Sequence, residues 1–193
     1  MGALFMLVFA YVLGSIPTGF LLGRLFGVDV RQAGSGNVGA TNVARVVGRR
    51  QGLLTLLADV AKGFIPSYLS VHLNFDLAVT SGVAFAAFLG HLYPVFLKFQ
   101  GGKGVATALG IFLSLAPLAT FVVVFVFSFV AMVGRTVSLA SLVAAGFAPV
   151  AFWFFSYPPL LAWLSLLIGL LIVFRHRGNI QRLISGVEPK FDL

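Results

Sequence analysis

Six apolar runs fill most of this chain, at roughly 3–26, 51–72, 76–97, 104–133, 136–155 and 158–174. A helix crosses a bilayer with about 20 apolar residues, so the runs predict an all-α polytopic membrane protein. Only 9% of the 193 residues are charged, against 60% apolar. A soluble domain carries about 25% charged residues. Such a chain cannot cover a water-facing surface, which excludes a soluble enzyme, a disordered tail and a secreted disulfide scaffold. No cysteine is present, so there is no disulfide, thiolate nucleophile or zinc–thiolate site. Three histidines and five carboxylates, widely scattered, do not compose a metal site. Met1-Gly2-Ala3 is followed by apolar residues, without the charged start or small-residue cleavage site of a signal peptide. The first run therefore reads as a retained span.

The net charge of +8 gains meaning from its placement. A nucleic-acid groove would need far more exposed polar surface. In a membrane protein, basic residues mark the cytoplasmic side. Arg24, Arg31, Arg45, Arg49 and Arg50 lie in or beside the first loop, and Lys98 and Lys103 follow the third run. Arg135 stands between the fourth and fifth, and Arg175, Arg177, Arg182 and Lys190 follow the last. The fourth run holds 30 residues, about 45 Å as one helix, too long for a core of about 30 Å. If it turns back near Ala116-Pro117, all of these basic residues share one side. The expectation is seven transmembrane helical segments, some short, with the N-terminus outside and the C-terminus cytoplasmic. The first half of the turned-back run, about 104–115, is too short to span fully. No repeat, low-complexity tract or linker divides the chain, so residues 1–193 read as one membrane domain.

Three polar motifs lie on the basic side. The first, Gly34-Ser35-Gly36-Asn37-Val38-Gly39-Ala40-Thr41-Asn42-Val43-Ala44-Arg45, is a Gly-rich turn running into a helix, an arrangement suited to an anion. With a helix start near Asn37 or Thr41, the side chains of Thr41, Asn42 and Arg45 are expected on one face. The alternative is an ordinary loop with capping Ser and Asn. The second motif, Gly90-His91 through Thr107, contains Gly101-Gly102-Lys103-Gly104. It is not a Walker A loop, because Leu97 and Gly104 stand where that motif needs glycine and a hydroxyl. It still offers backbone donors, a mobile cation and a helix start, the parts of a phosphate cradle; the alternative is a flexible turn with an interfacial lysine. The third, Arg175-His176-Arg177-Gly178-Asn179 through Glu188, puts His176 and Asn179 on one stripe; alone it would suit a basic amphipathic tail on an anionic leaflet. Ser138 and Ser141, just past Arg135, enter the bilayer from the same side. Together the motifs predict an anionic, phosphorylated ligand handled at the cytoplasmic interface.

Two features sit deeper. Asp59 and Lys62 are three residues apart in the second run and are expected to pair as a structural element that fixes helix packing. Ser15-Ile16-Pro17-Thr18-Gly19 is expected to kink the first span and allow close helix approach.

At these residues the sequence resembles the bacterial PlsY family, the acyl-phosphate-dependent glycerol-3-phosphate acyltransferases. The resemblance covers nearly the whole chain: Gly14-Ser15-Ile16-Pro17, the Ser35-to-Arg45 motif, Asp59-x-x-Lys62-Gly63, Gly90-His91 through Thr107, and Arg175-His176 to Glu188. It implies transfer of a fatty acyl group from acyl phosphate to the 1-hydroxyl of sn-glycerol 3-phosphate. The implied products are lysophosphatidic acid and phosphate, the first acylation of bacterial phospholipid synthesis. It implies no cofactor, no nucleic acid and no obligatory protein partner, with acyl phosphate, glycerol 3-phosphate and the bilayer as partners. The implied location is the bacterial cytoplasmic (inner) membrane, with the active site facing the cytoplasm. On this resemblance Ser35, Asn37, Thr41 and Asn42 serve the acyl-phosphate group and the developing oxyanion. Arg45, Gly101, Gly102, Lys103, Gly104, Ser141, His176 and Asn179 serve glycerol 3-phosphate, and Glu188 joins Asp59 and Lys62 as structural. Either His176 or a substrate phosphate is the base. A phosphate or organic-anion transporter is the alternative, but it would place its site near the midplane between repeated halves.

Overall fold

The computed structural model describes residues 1–190, and among them the regular structure is helical throughout. The chain forms two compact units, Met1–Ile111 and a second beginning at Phe112.

In the first unit, α1 (Gly2–Ser15) and α2 (Thr18–Leu25) are two halves of one apolar stretch. Pro17 breaks it as expected. A residue before proline is pushed out of the helical region, and Ile16 is extended, with φ −62° and ψ 114°. A short α3 (Ala40–Val46) leads into α4 (Arg49–His72). Asp76 then starts α5 (Leu77–Leu92) by accepting the Val79 N–H at 2.8 Å. Met6, Ala10, Val83 and Ala87 form a buried cluster between α1 and α5. The two backbones nearly touch there: a Cβ on Gly14 would collide with the Ala87 carbonyl, and one on Gly90 with the Tyr11 carbonyl. Small residues permit such approach where lipid offers no competing hydrophobic drive. A second cluster, Val30, Val38, Val43 and Leu97, lies under the first polar motif.

α6 (Val105–Leu115) ends at a break on Ala116, with φ −148° and ψ 64°, and α7 (Pro117–Gly134) starts at once. The long fourth run is thus two helices. Thr120 Oγ1 donates to the Ala116 carbonyl at 2.8 Å, so the break stays hydrogen-bonded from within. In the second unit, Arg135 and Thr136 turn α7 into α8 (Val137–Phe154), which packs on α9 (Pro159–Arg175). Ala140, Ala144, Ala145, Ala148 and Ala151 are all buried along α8. Phe121, Phe125 and Phe129 on α7 are exposed, as a lipid-facing surface requires. α10 (Arg177–Ile184) leaves α9 at 62°.

Seven segments of the expected kind are helical, but their capacity to span differs. Among the described residues, Gly2–Leu25, Leu77–Leu97, Pro117–Gly134 and Val137–Phe154 are long and apolar enough to cross a membrane, and the bent α9–α10 pair makes up to five. α4 has the length, at 24 residues, but its charged side chains dilute its apolarity. α6 has only 11 residues, about 16 Å of helix.

Replacing Gly14 by Val is expected to force α1 from α5 and cost about 1–3 kcal/mol, as overpacking does. Gly146→Ala, where a Cβ meets nothing within 4 Å, is expected to be neutral or slightly stabilising. Thermal unfolding in detergent checks both.

Candidate active site

The first motif is organised by one amide. Asn42 is 2% exposed. Its Nδ2 donates to the carbonyls of Val30 (2.9 Å), Ala33 (3.1 Å) and Asn37 (2.8 Å), and its Oδ1 accepts the Ser35 N–H at 2.8 Å. Gly34, at φ +61°, leaves room for this: a Cβ there would collide with Asn42 Oδ1. Asn37 Oδ1 accepts the Gly39 N–H at 2.8 Å. Because α3 starts at Ala40, residues 41 and 45 share an outward face while residue 42 turns inward. The expectation that Asn42 faces outward with Thr41 and Arg45 is corrected. Asn42 builds the loop, and its N–H groups are spent. Ser35, Thr41 and Arg45 are exposed. Nearby, Arg31 is tied to Asp29 by bonds of 3.0 and 2.7 Å and stacks on Phe20. The Arg31 hydrogen bond holds the Asp29 carboxyl at about 2.

The second motif is folded against the end of α5. The last carbonyls of a helix lack partners within it. Here the Gly101 N–H donates to Leu92 O and the Gly102 N–H to His91 O, both at 3.1 Å. The expectation of free Gly101 and Gly102 donors is therefore corrected: these two N–H groups anchor the loop. Gly104, at φ +87°, then opens α6, and its carbonyl accepts the Ala108 N–H at 2.8 Å. Lys103 is half-buried.

Beneath this loop lies the Asp59–Lys62 pair, 2.8 Å apart with side chains 4% and 6% exposed. Lys62 Nζ also donates to Ile16 O at 3.1 Å, a carbonyl at the proline break. His91 Nδ1 stands 3.7 Å from Asp59 Oδ1. The three side chains line a small pocket with Ser15, Pro17, Thr18 and Pro94, with room for about one water molecule. Sequence reading gave His91 no role, because its partners lie in other helices.

In the second unit, His176 is the joint between α9 and α10 and is 3% exposed. Its Nδ1 lies 2.8 Å from Ile172 O. A carbonyl only accepts, so Nδ1 carries the hydrogen. Glu188 gathers the third motif. Oε1 accepts Ser138 Oγ at 2.8 Å and Asn179 Nδ2 at 2.6 Å, and Oε2 accepts Arg182 Nε at 2.7 Å. Asn179 is thus oriented by Glu188, a partner nine residues on. Ser141 Oγ donates to Val137 O at 2.8 Å and is buried. A hydroxyl rotates about its Cβ–Oγ bond, so donating to a phosphate would require it to turn from the Val137 carbonyl.

The family model described as glycerol-3-phosphate acyltransferase matches residues 4–186. The chain belongs to that family. A glycerol-3-phosphate acyltransferase of Trichlorobacter lovleyi is 50% identical over 188 residues, 97% of each chain. One of Aquifex aeolicus is 45% identical over 197 residues, 99% of this chain and 100% of that one. The crystal structure of PlsY, an integral membrane glycerol 3-phosphate acyltransferase, in its glycerol 3-phosphate form superposes with a TM-score of 0.96. It is 44% identical and covers 100% of this chain and 96% of its own. Its lysophosphatidic acid form gives 0.93 at 43% identity. The chain is thus an integral membrane acyltransferase of lipid synthesis.

The Glu188 cluster carries a pH dependence. Burial opposes the charged carboxylate, but the Asn179, Ser138 and Arg182 bonds outweigh it and hold the group below its usual 4.5. A lowered carboxylate pKa contributes stability that is present above the unfolded value and lost as pH falls through the folded one. The attachment of α10 is therefore expected to hold at pH 4.5 and above and to loosen below it. A spin label on Val187→Cys in this cysteine-free chain is expected to gain mobility there, and Glu188→Gln is expected to abolish the step.

Proposed function

We propose that the chain transfers a fatty acyl group from acyl phosphate to the 1-hydroxyl of sn-glycerol 3-phosphate, the first acylation of phospholipid synthesis. The observation that carries the reading is the likeness, over the full chain, to an integral membrane acyltransferase solved in glycerol 3-phosphate and lysophosphatidic acid forms. The hydroxyl oxygen attacks the acyl carbon, the bond from that carbon to the phosphate oxygen breaks, and phosphate leaves. An acyl phosphate is already activated, so the protein supplies position and charge.

On this reading Ser35 and Thr41, with the loop backbone and Asn37, serve the acyl-phosphate group, and Asn42 holds them in place. Arg45 and Lys103 bind the phosphate of glycerol 3-phosphate, with Gly101, Gly102 and Gly104 shaping the loop that carries Lys103. His176, Asn179 and Ser141 contribute to binding, Asn179 in the orientation set by Glu188. A substrate phosphate oxygen takes the hydroxyl proton. In favour of that route, His176 Nδ1 bonds a neutral carbonyl, whereas a catalytic base is commonly backed by a carboxylate that stabilises its protonated form.

The proposal extends to the membrane. The 193 residues act as one domain of seven transmembrane helical segments, some short, in the bacterial inner membrane, N-terminus outside and motifs cytoplasmic. The one-sided arginines and lysines support it.

Purified protein given acyl phosphate and glycerol 3-phosphate is expected to release phosphate and form lysophosphatidic acid. Arg45→Ala and Lys103→Ala are each expected to lose one charge-assisted contact, about 1.5–3 kcal/mol, or roughly tenfold to a hundredfold in kcat/KM. Flux of anion across vesicles without acyl transfer would instead favour a transporter. Orientation is checked with single cysteines and an impermeant thiol reagent in intact cells. Positions 74 and 157 are expected to label, and position 135 is not.

A further inference from the structure

His91 is buried at 6% exposure, belongs to no proposed substrate contact, and lies against both the deep ion pair and the Gly-rich loop. On one side its Nδ1 faces Asp59 Oδ1 at 3.7 Å, and Asp59 is fixed by Lys62 at 2.8 Å. Lys62 is itself tied to the Ile16 carbonyl at 3.1 Å. On the other side the imidazole is the surface on which Gly102 rests. A Cβ at residue 102 would collide with Nε2 and stand 2.9 Å from Cε1. The His91 carbonyl accepts the Gly102 N–H at 3.1 Å. Residue 102 is thus located by both the ring and the backbone of one histidine, and Lys103 is the next residue. A ring held in this way fixes the height of the loop, and a shift of even 1 Å at a substrate-holding group is costly.

We propose that His91 is a positioning residue for glycerol 3-phosphate: its ring is the floor under Gly102 and so determines where Lys103 presents its charge. The floor is held level by Asp59, Lys62 and the carbonyl at the proline break. The proposal rests on the reading that Lys103 binds the glycerol 3-phosphate phosphate. It goes beyond that reading in assigning a function to a side chain that never touches substrate.

The test is steady-state kinetics with both substrates varied. His91→Asn is expected to raise KM for glycerol 3-phosphate by roughly tenfold, the pattern of lost binding. Its kcat and its KM for acyl phosphate are expected to stay near wild type. Gly102→Ala, which drives a methyl into the ring, is expected to show the same split. In a His91→Ala background, where that methyl has space, adding Gly102→Ala is expected to cost little more. Should the double variant lose as much again as Gly102→Ala alone, the ring is not the floor and the proposal is overturned. It is equally overturned if His91→Asn leaves glycerol 3-phosphate KM unchanged, or lowers kcat and both affinities in step with thermal stability. Lys103→Ala separates the two readings. If it raises glycerol 3-phosphate KM and His91→Asn does not, only the role of His91 fails. If Lys103→Ala leaves that KM unchanged, the substrate assignment of the loop fails. A spin label on Gln100→Cys then judges His91 directly, since loss of the floor must free the loop.

Discussion

An ammonium that lipid cannot accept meets a carbonyl released from its helix ladder, which also takes the Thr18 N–H at 3.1 Å. Pro17 interrupts the first apolar stretch and exposes Ile16 O, and Lys62, neutralised by Asp59, reaches it. In hydrocarbon either charge alone would cost several kcal/mol. Removing one member of a buried pair leaves an uncompensated charge, a loss of about 3–5 kcal/mol. The arrangement ties α4 to the joint between α1 and α2. His91 on α5 borders the same pair, so four helices of the first unit meet at one polar knot. The Gly-rich loop is laid on top of it.

The two polar loops of the first unit are rigid for different reasons. The first is gathered around an inward amide, with Asn42 holding three carbonyls and one N–H. The second is closed by backbone, its glycine N–H groups completing the end of α5, and rests on the His91 ring. In both, atoms that look available for a ligand in the sequence are consumed in making the loop. On the proposed function the substrates meet side chains at the rim: Ser35, Thr41, Arg45 and Lys103.

Much of this architecture was legible from residue order. The proline break, the split of the long fourth run at Ala116-Pro117 and the Asp59–Lys62 pair all follow from local rules of length, charge and spacing. The family followed from the polar motifs and their order. The direction of Asn42 was not legible, because starting a helix one residue earlier or later rotates every side chain by about 100°. Nor was the Ser138–Glu188 bond, whose partners lie 50 residues apart. The sinks for the Gly101 and Gly102 hydrogens were hidden for a similar reason: backbone partners carry no mark in a sequence.

The break at Ala116 has a consequence for the lipid around it. α6 extends about 16 Å from the loop that precedes it, roughly half the thickness of a hydrocarbon core. α7 runs on from the same point for 18 residues, and the Leu118 N–H meets the Tyr157 hydroxyl at 3.3 Å, so α6 is the short arm of the reversal and α7 the long one. Ala116 is fully buried, and its carbonyl takes both the N–H and the hydroxyl of Thr120, at 3.0 and 2.8 Å. The reversal therefore carries its own solvation. A short arm closed in this way leaves the Ala116 carbonyl no need of a partner from outside the turn.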